Sequence, residues 1–408
     1  MSIKDSSRLN IALVAERRSH YLKLDYSDEE CAALTHEGEI GAVAAALQSL
    51  GHHVTLVPGL PSLAEHLVTG SFKNWDLVFN LAQGFNGPAR EAHVPALLEA
   101  YSIPHTFSDT ATMALCQDKR NTKASIVLNH HGVPTAPFTV IPRDKLSMPT
   151  ASLPKYPLFA KPVAEGSSKG IDTFNKVNNG AELELAIQKL RTTFPDQDIL
   201  VKRFLAGREL TVSILGTGVD GRVIGIREHL FKRNGLDDDD LEDFASWRGK
   251  LSNECRLRYN DVHDMDDPQL QTASRVALDA WAALGCRDAG RVDIRFDTEE
   301  ADAVPNVLEV NPIAGLLPGH SPLPASAEVN GLAFESLLTA ILQSVLSRTT
   351  PGTAARRYQQ QQELRARAAD ATCHLAVSHG DGLTNGIAVV DYQDENGLCC
   401  QGQNSRHG

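Results

Sequence analysis

The chain has 408 residues, 42% of them hydrophobic and 22% charged, which is typical of a folded protein with an apolar core and enough length for two or three domains. A formal net charge of −12 argues against non-specific nucleic-acid binding, and no apolar run is long enough to cross a membrane. Seven scattered cysteines form no disulfide framework and no zinc pattern, and the start of the chain has no signal-peptide pattern, so we expect a cytoplasmic protein without nucleic-acid or membrane partners.

The first hundred residues alternate between strands and helices. RLNIALVAE predicts an apolar strand, EIGAVAAALQSLG a helix that stops at Gly51, HHVTLVPG and WDLVFNLAQG two further strands, and AREAHVPALLEAY another helix. Strands and helices alternating at this spacing are typical of βαβ units and a parallel sheet. We therefore predict a doubly wound α/β domain over residues 1–106.

The following segment contains a candidate phosphate-binding loop. Asp109 can cap a helix through ATMALCQDKRNTKASIVLNHHG that ends at Gly132. YPLFAKPVAEGSSKGIDTF then predicts a strand, a Gly/Ser-rich turn and a second strand, before the helix AELELAIQKL and the strand DILVKRFL. Backbone N–H groups of such a turn can approach phosphate oxygens closely while Lys161 neutralises charge. A plain β-turn with a solvated lysine is the alternative.

A hairpin is predicted next, in RELTVSILGTGVDGRVIGIRE. Three glycines in it match the GxGxxG spacing, but a strand follows where a dinucleotide-binding fingerprint needs a helix, so we reject that motif. Residues 231–267 are irregular and acidic. The helix DPQLQTASRVALDAWAALG, the strands RVDIRF and NVLEV, and an apolar helix near 333–347 follow, and residues after 348 predict a linker or an exposed helix.

The strand VLEVN carries polar side chains that need a partner. Because strand side chains alternate between faces, Val307, Glu309 and Asn311 are expected on one face. A carboxylate and an amide are costly to bury unless something compensates them.

The strand RVDIRF offers such a partner, since Arg291, Asp293 and Arg295 share one of its faces. If the two strands pair, Asp293, Glu309 and Asn311 converge, and three oxygen ligands of this kind suit Mg²⁺ bound with phosphates. A buried salt-bridge network is the alternative. The phosphate loop upstream favours a nucleotide bridged by magnesium.

Five blocks, in this order, resemble the D-alanine–D-alanine ligase type of ATP-grasp enzyme: LCQDKRNTK, KPVAEGSSKG, FLAGRELTVSILG, LGCRDAGRVDIRFD and LEVNPIAGLLPGHSPLP. FNLAQGFNGPAREAHVPALLEAYSIPHTFSD resembles the N-terminal region of that family, so the resemblance covers roughly residues 8–348. It implies α/β and α+β elements in a three-part ATP-grasp architecture. The parts are the doubly wound substrate domain 1–106, a central subdomain 107–201 with the phosphate loop, a C-terminal subdomain 202–348 with the metal site, and an extension 349–408 whose order is left open.

The resemblance implies an ATP-dependent carboxylate–amine ligase, a carbon–nitrogen ligase of the acid–amino-acid class. Transfer of the γ-phosphoryl group makes an acyl phosphate, which an amine displaces, releasing ADP and phosphate. ATP and two Mg²⁺ ions, or Mn²⁺ in their place, are the implied cofactors, with amino-acid-like substrates and a homodimer. The alternatives are D-alanine–D-alanine ligase itself, of peptidoglycan precursor synthesis, and a catalytically silent nucleotide- or amino-acid-binding protein of the same fold.

The resemblance also implies roles for individual residues. The nucleotide would contact Lys119, Lys161, the loop residues Gly166, Ser167, Ser168 and Gly170, the hinge residues Lys202, Phe204 and Leu205, and Glu209 at the ribose. Magnesium would be held by Asp293, Glu309 and Asn311. The catalytic group would comprise Glu16, Ser167, Arg291 and Gly315, and the amino-acid substrates would contact Glu16, Ser167, His320 and Ser321.

Three features depart from the family pattern. Gln83-Gly84 stands where the family has His-Gly, residues 226–268 contain no Lys-Tyr pair, and Lys202 replaces a glutamate that is usual at the hinge. The departures concentrate where the amino acids would bind, so a different pair of substrates is expected as readily as D-alanine. The candidates for altered specificity are Lys232, Arg233, Trp247 and Arg248, with a solvated loop as the alternative.

Overall fold

The computed structural model describes residues 8–123, 131–144, 153–166, 168–230, 244, 258–262 and 266–349. All of them lie within the unit Met1–Tyr358. The specificity candidates of the acidic segment and, apart from Thr349, the predicted extension lie outside the described residues.

The predicted parallel sheet is present in the N-terminal part. Strand β1 (Asn10–Ala15) lies between β2 (His53–Pro58) and β3 (Leu77–Asn80), and both pairs are parallel. The helices are α1 (Arg18–Leu22), α2 (Glu37–Ser49), α3 (Gly59–Thr69) and α4 (His93–Ala100), with short 3-10 turns at Ser71–Asn74 and Arg90–Ala92. Helix α3 was not predicted, and β3 ends at Asn80, four residues before the predicted end.

Side chains of β1 alternate between two apolar cores. Leu13 packs in the core that contains Leu47 of α2, whereas Val14 packs with Leu63 of α3 and Leu98 of α4. Helices therefore cover both faces of the sheet, which confirms the doubly wound arrangement.

The single helix predicted from Asp109 to Gly132 is wrong in its length. Helix α5 (Thr110–Gln117) is capped by Asp109 as predicted, since the carboxylate accepts the Thr112 N–H at 2.9 Å. The chain then becomes extended at Asp118 and restarts as α6 (Lys119–Lys123). The Lys119 N–H donates to the Val163 carbonyl at 3.1 Å, so a tertiary hydrogen bond replaces a helical one and brings Lys119 beside the phosphate loop.

The second sheet is antiparallel, in the order β4-β7-β5-β6. Its strands are β4 (Phe138–Ile141), β5 (Leu158–Pro162), β6 (Lys176–Val177) and β7 (Ile199–Arg203), and helix α7 (Gly180–Thr193) packs against one face. The strand predicted directly after the Gly/Ser-rich turn is wrong at that place. Asp172 caps a 3-10 turn at Thr173–Asn175 by accepting the Thr173 N–H at 2.7 Å, and β6 begins only after it.

The third sheet is antiparallel, in the order β10-β9-β8-β11-β12. Its strands are β8 (Glu209–Leu215), β9 (Arg222–Leu230), β10 (Arg258–Val262), β11 (Ala289–Phe296) and β12 (Pro305–Asn311), and helix α8 (Pro268–Ala283) packs against it through buried Trp281. Strands β8 and β9 form the predicted hairpin, with a 3-10 turn at Gly218–Asp220. The absence of a helix after these glycines agrees with rejecting the dinucleotide fingerprint.

Two apolar helices follow the last strand. Helix α9 (Pro322–Val329) was not predicted, and α10 (Phe334–Ser347) matches the prediction near 333–347. No single helix in the described ranges has the length and apolar character to cross a membrane; α9 and α10 meet that test only together, as a pair bent by 113°.

Candidate active site

A cavity between the second and third sheets collects most of the residues to which the sequence assigns nucleotide and metal binding. Of those residues it is lined by Lys119, Lys161, Gly166, Ser168, Lys202, Phe204, Leu205, Glu209, Asp293 and Glu309. Arg291, which was assigned to the catalytic group, lines it as well. Gly170 and Asn311 do not line it, although each is close in sequence to a residue that does. Ser167 lies outside the described residues.

Glu309 is the anionic centre of one end of the cavity. Its Oε2 lies 3.3 Å from Nζ of Lys119 and 3.9 Å from Nζ of Lys161. Burial alone would raise the pKa of Glu309, but the two ammonium groups and Arg291 outweigh it, so the pKa lies well below its usual range. Burial lowers the pKa of Lys161 to about 8. Two lysines thus converge on one carboxylate.

Asp293 occupies the adjacent position. Its carboxylate accepts from Nη1 of Arg291 at 2.8 Å, from the Thr211 hydroxyl at 2.8 Å and from Nδ2 of Asn311 at 3.2 Å. Burial is the main reason that the pKa of Asp293 is raised to about 6; Arg291 opposes the shift and Glu309 adds to it. The predicted pairing of β11 with β12 is present, with Asp293 opposite Glu309 and Arg291 opposite Asn311.

The expected sharing of one strand face by Val307, Glu309 and Asn311 is wrong at Val307. The pairing shifts by one residue between Asp293 and Ile294, so that Ile294 pairs with Val307 and Leu308 is left as the extra residue of a bulge. Val307 consequently packs in the apolar core, whereas Leu308 lines the cavity beside Glu309. The bulge resets the alternation of side chains along β12.

The other end of the cavity is aromatic. The rings of Phe159 and Phe244 lie edge to face with centroids 5.0 Å apart, and Phe204 lies 6.3 Å from Phe159. Lys202 lines this end from the next strand, and Glu209 accepts from Nη1 of Arg295 at 3.0 Å. A flat aromatic group can pack at this end, because ring faces and edges there are apolar.

The described part of the phosphate loop is held by contacts to turns of the N-terminal part of the chain. Nη1 of Arg90 donates to the Ala164 carbonyl at 3.1 Å, and the Gly170 N–H donates to Oε1 of Glu29 at 3.3 Å. Ser168 and Gly170 both have positive φ, at 60° and 73°. The loop therefore needs glycine at 170, where an added Cβ would also meet the ring of Phe194.

Of the residues assigned to the amino-acid substrates, the three that the structure describes, Glu16, His320 and Ser321, do not line this cavity. Buried Glu16 accepts the N–H groups of Gln83 and Gly84 at 3.0 and 3.3 Å, and burial raises its pKa. Ser321 is buried at the start of α9 and accepts the Leu317 N–H at 3.2 Å.

Two further substrate-side residues lie beside Ser321. A Cβ added to Gly315 would come within 2.8 Å of the Ser321 hydroxyl. His320 is exposed, and its carbonyl accepts from Nη1 of Arg227 at 3.0 Å. Gly315 thus leaves room for the Ser321 side chain.

Two buried charged residues near the site were missed by sequence reasoning. Glu39 accepts the Leu316 N–H at 2.6 Å, next to Gly315. Nζ of Lys123 donates to the Val307 carbonyl at 2.6 Å and to the Thr135 hydroxyl at 2.9 Å. The position of Glu39 directly before the apolar residues of α2 is a weak signal that its side chain is buried. Nothing in the neighbouring sequence distinguishes Lys123 from a surface lysine.

The donor set at Asp293 and Glu309 suits a hard cation. Within the described ranges, no three His, Cys, Asp or Glu side chains are grouped so that they could hold a metal ion. The residues predicted to hold magnesium include only two such side chains, the carboxylates of Asp293 and Glu309. The third is the amide of Asn311, whose Nδ2 donates to Asp293. Two carboxylates and an amide oxygen leave coordination positions for water and phosphate, as magnesium prefers.

Comparison with known proteins places the chain in a family. The family model described as D-ala D-ala ligase C-terminus matches residues 127–343. A D-alanine–D-alanine ligase of Xanthomonas axonopodis pv. citri is 30% identical over 319 residues, covering 75% of this chain and 88% of the relative. One from Rhizorhabdus wittichii is 31% identical over 306 residues, covering 75% and 90%.

Solved structures agree on the fold. The crystal structure of the D-alanine–D-alanine ligase from Bacillus anthracis complexed with ATP superposes with a TM-score of 0.61 at 19% identity, covering 83% of this chain and 98% of that one. The predicted ATP-grasp architecture is therefore confirmed. The family model and the sequence relatives confirm the predicted enzyme class, an ATP-dependent carbon–nitrogen ligase. The chain belongs to the D-alanine–D-alanine ligase family.

Proposed function

We propose that the cavity between the second and third sheets binds ATP and that the protein joins an amino-acid carboxylate to an amine through an acyl phosphate. The observation that carries the proposal is the convergence of Lys119 and Lys161 on Glu309, next to Asp293 and Arg291. The ammonium groups of buried Lys119 and partly buried Lys161, with the Arg291 guanidinium, would neutralise a polyphosphate, while the aromatic end would hold a base. The solved structure of similar fold that is complexed with ATP supports ATP as the ligand.

The residues of the chain act by positioning and by charge. Lys119 and Lys161 would exchange their contact with Glu309 for phosphate oxygens, and Arg291 would face the charge that develops on the phosphoryl group during transfer. Glu209 would contact the ribose at the mouth of the aromatic end. Catalysis would then rest on alignment of the carboxylate, the phosphoryl group and the amine in a covered site.

Asp293, Glu309 and Asn311 would hold two magnesium ions, with manganese as a substitute. Magnesium, when bound, would neutralise the phosphate oxygens and would replace the two lysines as the cationic partner of Glu309. The raised pKa of Asp293 supports this assignment, because a nearby cation would stabilise the ionised form that burial disfavours.

Amino-acid-like molecules are the proposed substrates, with D-alanine first among them because the relatives are named for it. Glu16 would accept hydrogen bonds from the amine of the first substrate. Ser167, His320 and Ser321 would surround the carboxylates, and Gly315 would present its backbone to the transferring group. Gln83 replaces the family's histidine beside Glu16, so a related dipeptide remains the second candidate product. The homodimer, the cytoplasmic location and the domain boundaries stay predictions.

The test is phosphate release from ATP and Mg²⁺ with D- and L-amino acids, singly and in pairs, with mass spectrometry of the products. We expect release that depends on an amino acid and yields an amide-linked product. Asn311→Ala should reduce kcat by about 10²-fold or more, because it removes a proposed metal ligand. ATP binding without release for every pair would instead favour the catalytically silent protein.

A further inference from the structure

Lys202 is a buried cation without an evident counter-ion. It is 6% exposed and lines the cavity from β7. Across the described ranges its ammonium group makes no hydrogen bond and no ion pair within 4 Å, and it lies over the Phe159 ring, whose centroid is 5.8 Å away. This differs from Lys119 and Lys161, which both reach Glu309.

The surroundings of Lys202 offer it little compensation. The nearby charged side chains are mainly cationic, namely Lys161, Lys123 and Arg295. The anionic neighbour, Glu209, is engaged by Arg295 at 3.0 Å. Burial, and then Lys161 and Lys123, hold the pKa of Lys202 well below its usual range, so its ammonium form is costly without an acceptor. A ligand that supplies an acceptor in the cavity stabilises that ammonium form.

The position of Lys202 identifies the part of the ligand that would supply this acceptor. Lys202 and Phe159 are register partners across β7 and β5, and the rings of Phe204 and Phe244 complete the same end. Of the two polyphosphate lysines, Lys119 lies beside Glu309, whereas Lys161 is 3.9 Å from Glu309 and is also a charged neighbour of Lys202. If the cavity binds a nucleotide as proposed above, on which this inference rests, Lys202 faces the base and not the phosphates.

Purines differ in what their edge offers to an ammonium group, which can only donate. Adenine presents N7 as an acceptor but an amino group at position 6, whereas a 6-oxopurine presents two acceptors, N7 and O6. Lysine pairs well with the second pattern and is adjacent to a competing donor in the first. We propose that Lys202 reads this edge of the base, so that the site accepts 6-oxopurine nucleotides alongside adenine nucleotides.

The experiment is calorimetric binding of ADP and IDP in the presence of Mg²⁺, to the full chain. The diphosphates avoid turnover. IDP has O6 in place of the 6-amino group of ADP and a hydrogen on N1, without the extra amino group of guanine. We expect the IDP dissociation constant to be less than about tenfold above that of ADP, a difference below about 1.4 kcal/mol. A ratio of about tenfold or more overturns the proposal.

Variants of Lys202 test whether this side chain sets the ratio of the IDP to the ADP dissociation constant. Lys202→Glu should increase the ratio of the IDP to the ADP dissociation constant by about tenfold or more, since a carboxylate accepts from the adenine amino group and repels O6. Lys202→Met, which introduces no charge, should increase it by about threefold or more and serves if the glutamate variant does not fold. A ratio that stays unchanged in both folded variants overturns the proposal.

A matched control is Lys176→Met, because Nζ of Lys176 lies over the Phe204 ring at 4.5 Å without lining the cavity. The ratio should not change in this variant; an equal change in Lys176→Met and Lys202→Met would overturn the assignment to Lys202. If neither ADP nor IDP binds, the proposed function fails first. If ADP binds and IDP does not, the proposal that Lys202 recognises the base fails, while the proposed function stands.

Discussion

Asp293 and Glu309 are register partners on adjacent strands, yet the pKa values of their carboxyl groups are shifted in opposite directions. Burial raises the pKa of Asp293 to about 6, whereas two ammonium groups and Arg291 overcome burial and lower the pKa of Glu309. The lysines that stabilise ionised Glu309 are those proposed to bind phosphate. If they bind phosphate as proposed, nucleotide binding competes with Glu309 for Lys119 and Lys161, unless a cation takes their place.

The first prediction is that Glu309→Gln uncouples nucleotide binding from magnesium. In the unchanged protein Mg²⁺ should strengthen ADP binding by about tenfold or more, because it neutralises both the phosphates and the carboxylates. In Glu309→Gln the magnesium effect should fall below about threefold. ADP should bind without metal at least as tightly as before, since both lysines then lose the anionic partner that competes with phosphate. Calorimetric titration with ADP, with Mg²⁺ and with EDTA, measures both quantities.

The control for this prediction is Glu299→Gln, because Glu299 is exposed in the loop between β11 and β12. It should keep the full magnesium effect. A Glu309→Gln variant that also keeps it would contradict the proposed metal role of Glu309.

Local patterns predicted the elements well where periodicity and capping residues agree. Asp109 caps its helix, β11 pairs with β12, and the glycine-rich hairpin has no helix after it. Each of these depends on residues close in sequence or on regular alternation, which the amino-acid sequence contains directly.

Features set by distant contacts were not predictable in this way. The break at Asp118 depends on the hydrogen bond from Lys119 to Val163, and the bulge at Leu308 depends on how β12 pairs with β11. The residues of the site came mainly from family resemblance. Glu39 was missed because its partner, the Leu316 N–H, lies 277 residues away.

A second prediction concerns the two glycines at either end of the phosphate loop. Gly170 has φ of 73°, and an added Cβ would lie 2.5 Å from the Phe194 ring. Gly170→Ala should therefore lower the free energy of unfolding by about 1–3 kcal/mol. Gly166→Ala should change it by less than about 0.5 kcal/mol, because no atom lies within 4 Å of the added group and its φ is ordinary. Urea denaturation of both variants checks the difference, and equal values would contradict it.

A third prediction assigns Glu39 a positioning role at Gly315. Glu39→Ala removes the acceptor of the buried Leu316 N–H, which should cost about 1–3 kcal/mol of stability. It should also lower kcat while the ADP dissociation constant stays the same, because the loop at Gly315 lies away from the nucleotide cavity. Glu39→Gln keeps an oxygen acceptor and should restore kcat.

The matched control for Glu39 is Glu37→Ala on the same helix, since Glu37 is exposed and accepts the Ser19 N–H at 2.7 Å. Its effect on kcat should be less than about twofold. If Glu39→Ala weakens ADP binding as much as it lowers kcat, Glu39 has a general structural role and does not position Gly315.

The fourth prediction distinguishes the effect of Glu16 on the free energy of unfolding from its proposed role in substrate binding. Burial raises the pKa of Glu16 in the folded protein, although the N–H groups of Gln83 and Gly84 oppose the shift. The folded protein therefore holds a proton at Glu16 more tightly than the unfolded chain does. Its contribution to stability is complete below the unfolded pKa, near 4.5, and is lost as the pH rises through the higher folded pKa.

Glu16→Gln removes this pH-dependent loss of stability and keeps an oxygen that can accept the N–H groups of Gln83 and Gly84. The stability of the variant relative to the unchanged protein should therefore increase as the pH rises above 4.5 and become constant above the folded pKa. Because the variant lacks the charge proposed to bind the substrate amine, the KM for the first amino acid should rise by about 10–100-fold with the ADP dissociation constant unchanged. Urea denaturation between pH 5 and pH 8, paired with KM at pH 7.5, measures both sides. A relative stability that does not change with pH would contradict the burial argument, and an unchanged KM would remove Glu16 from the substrate site.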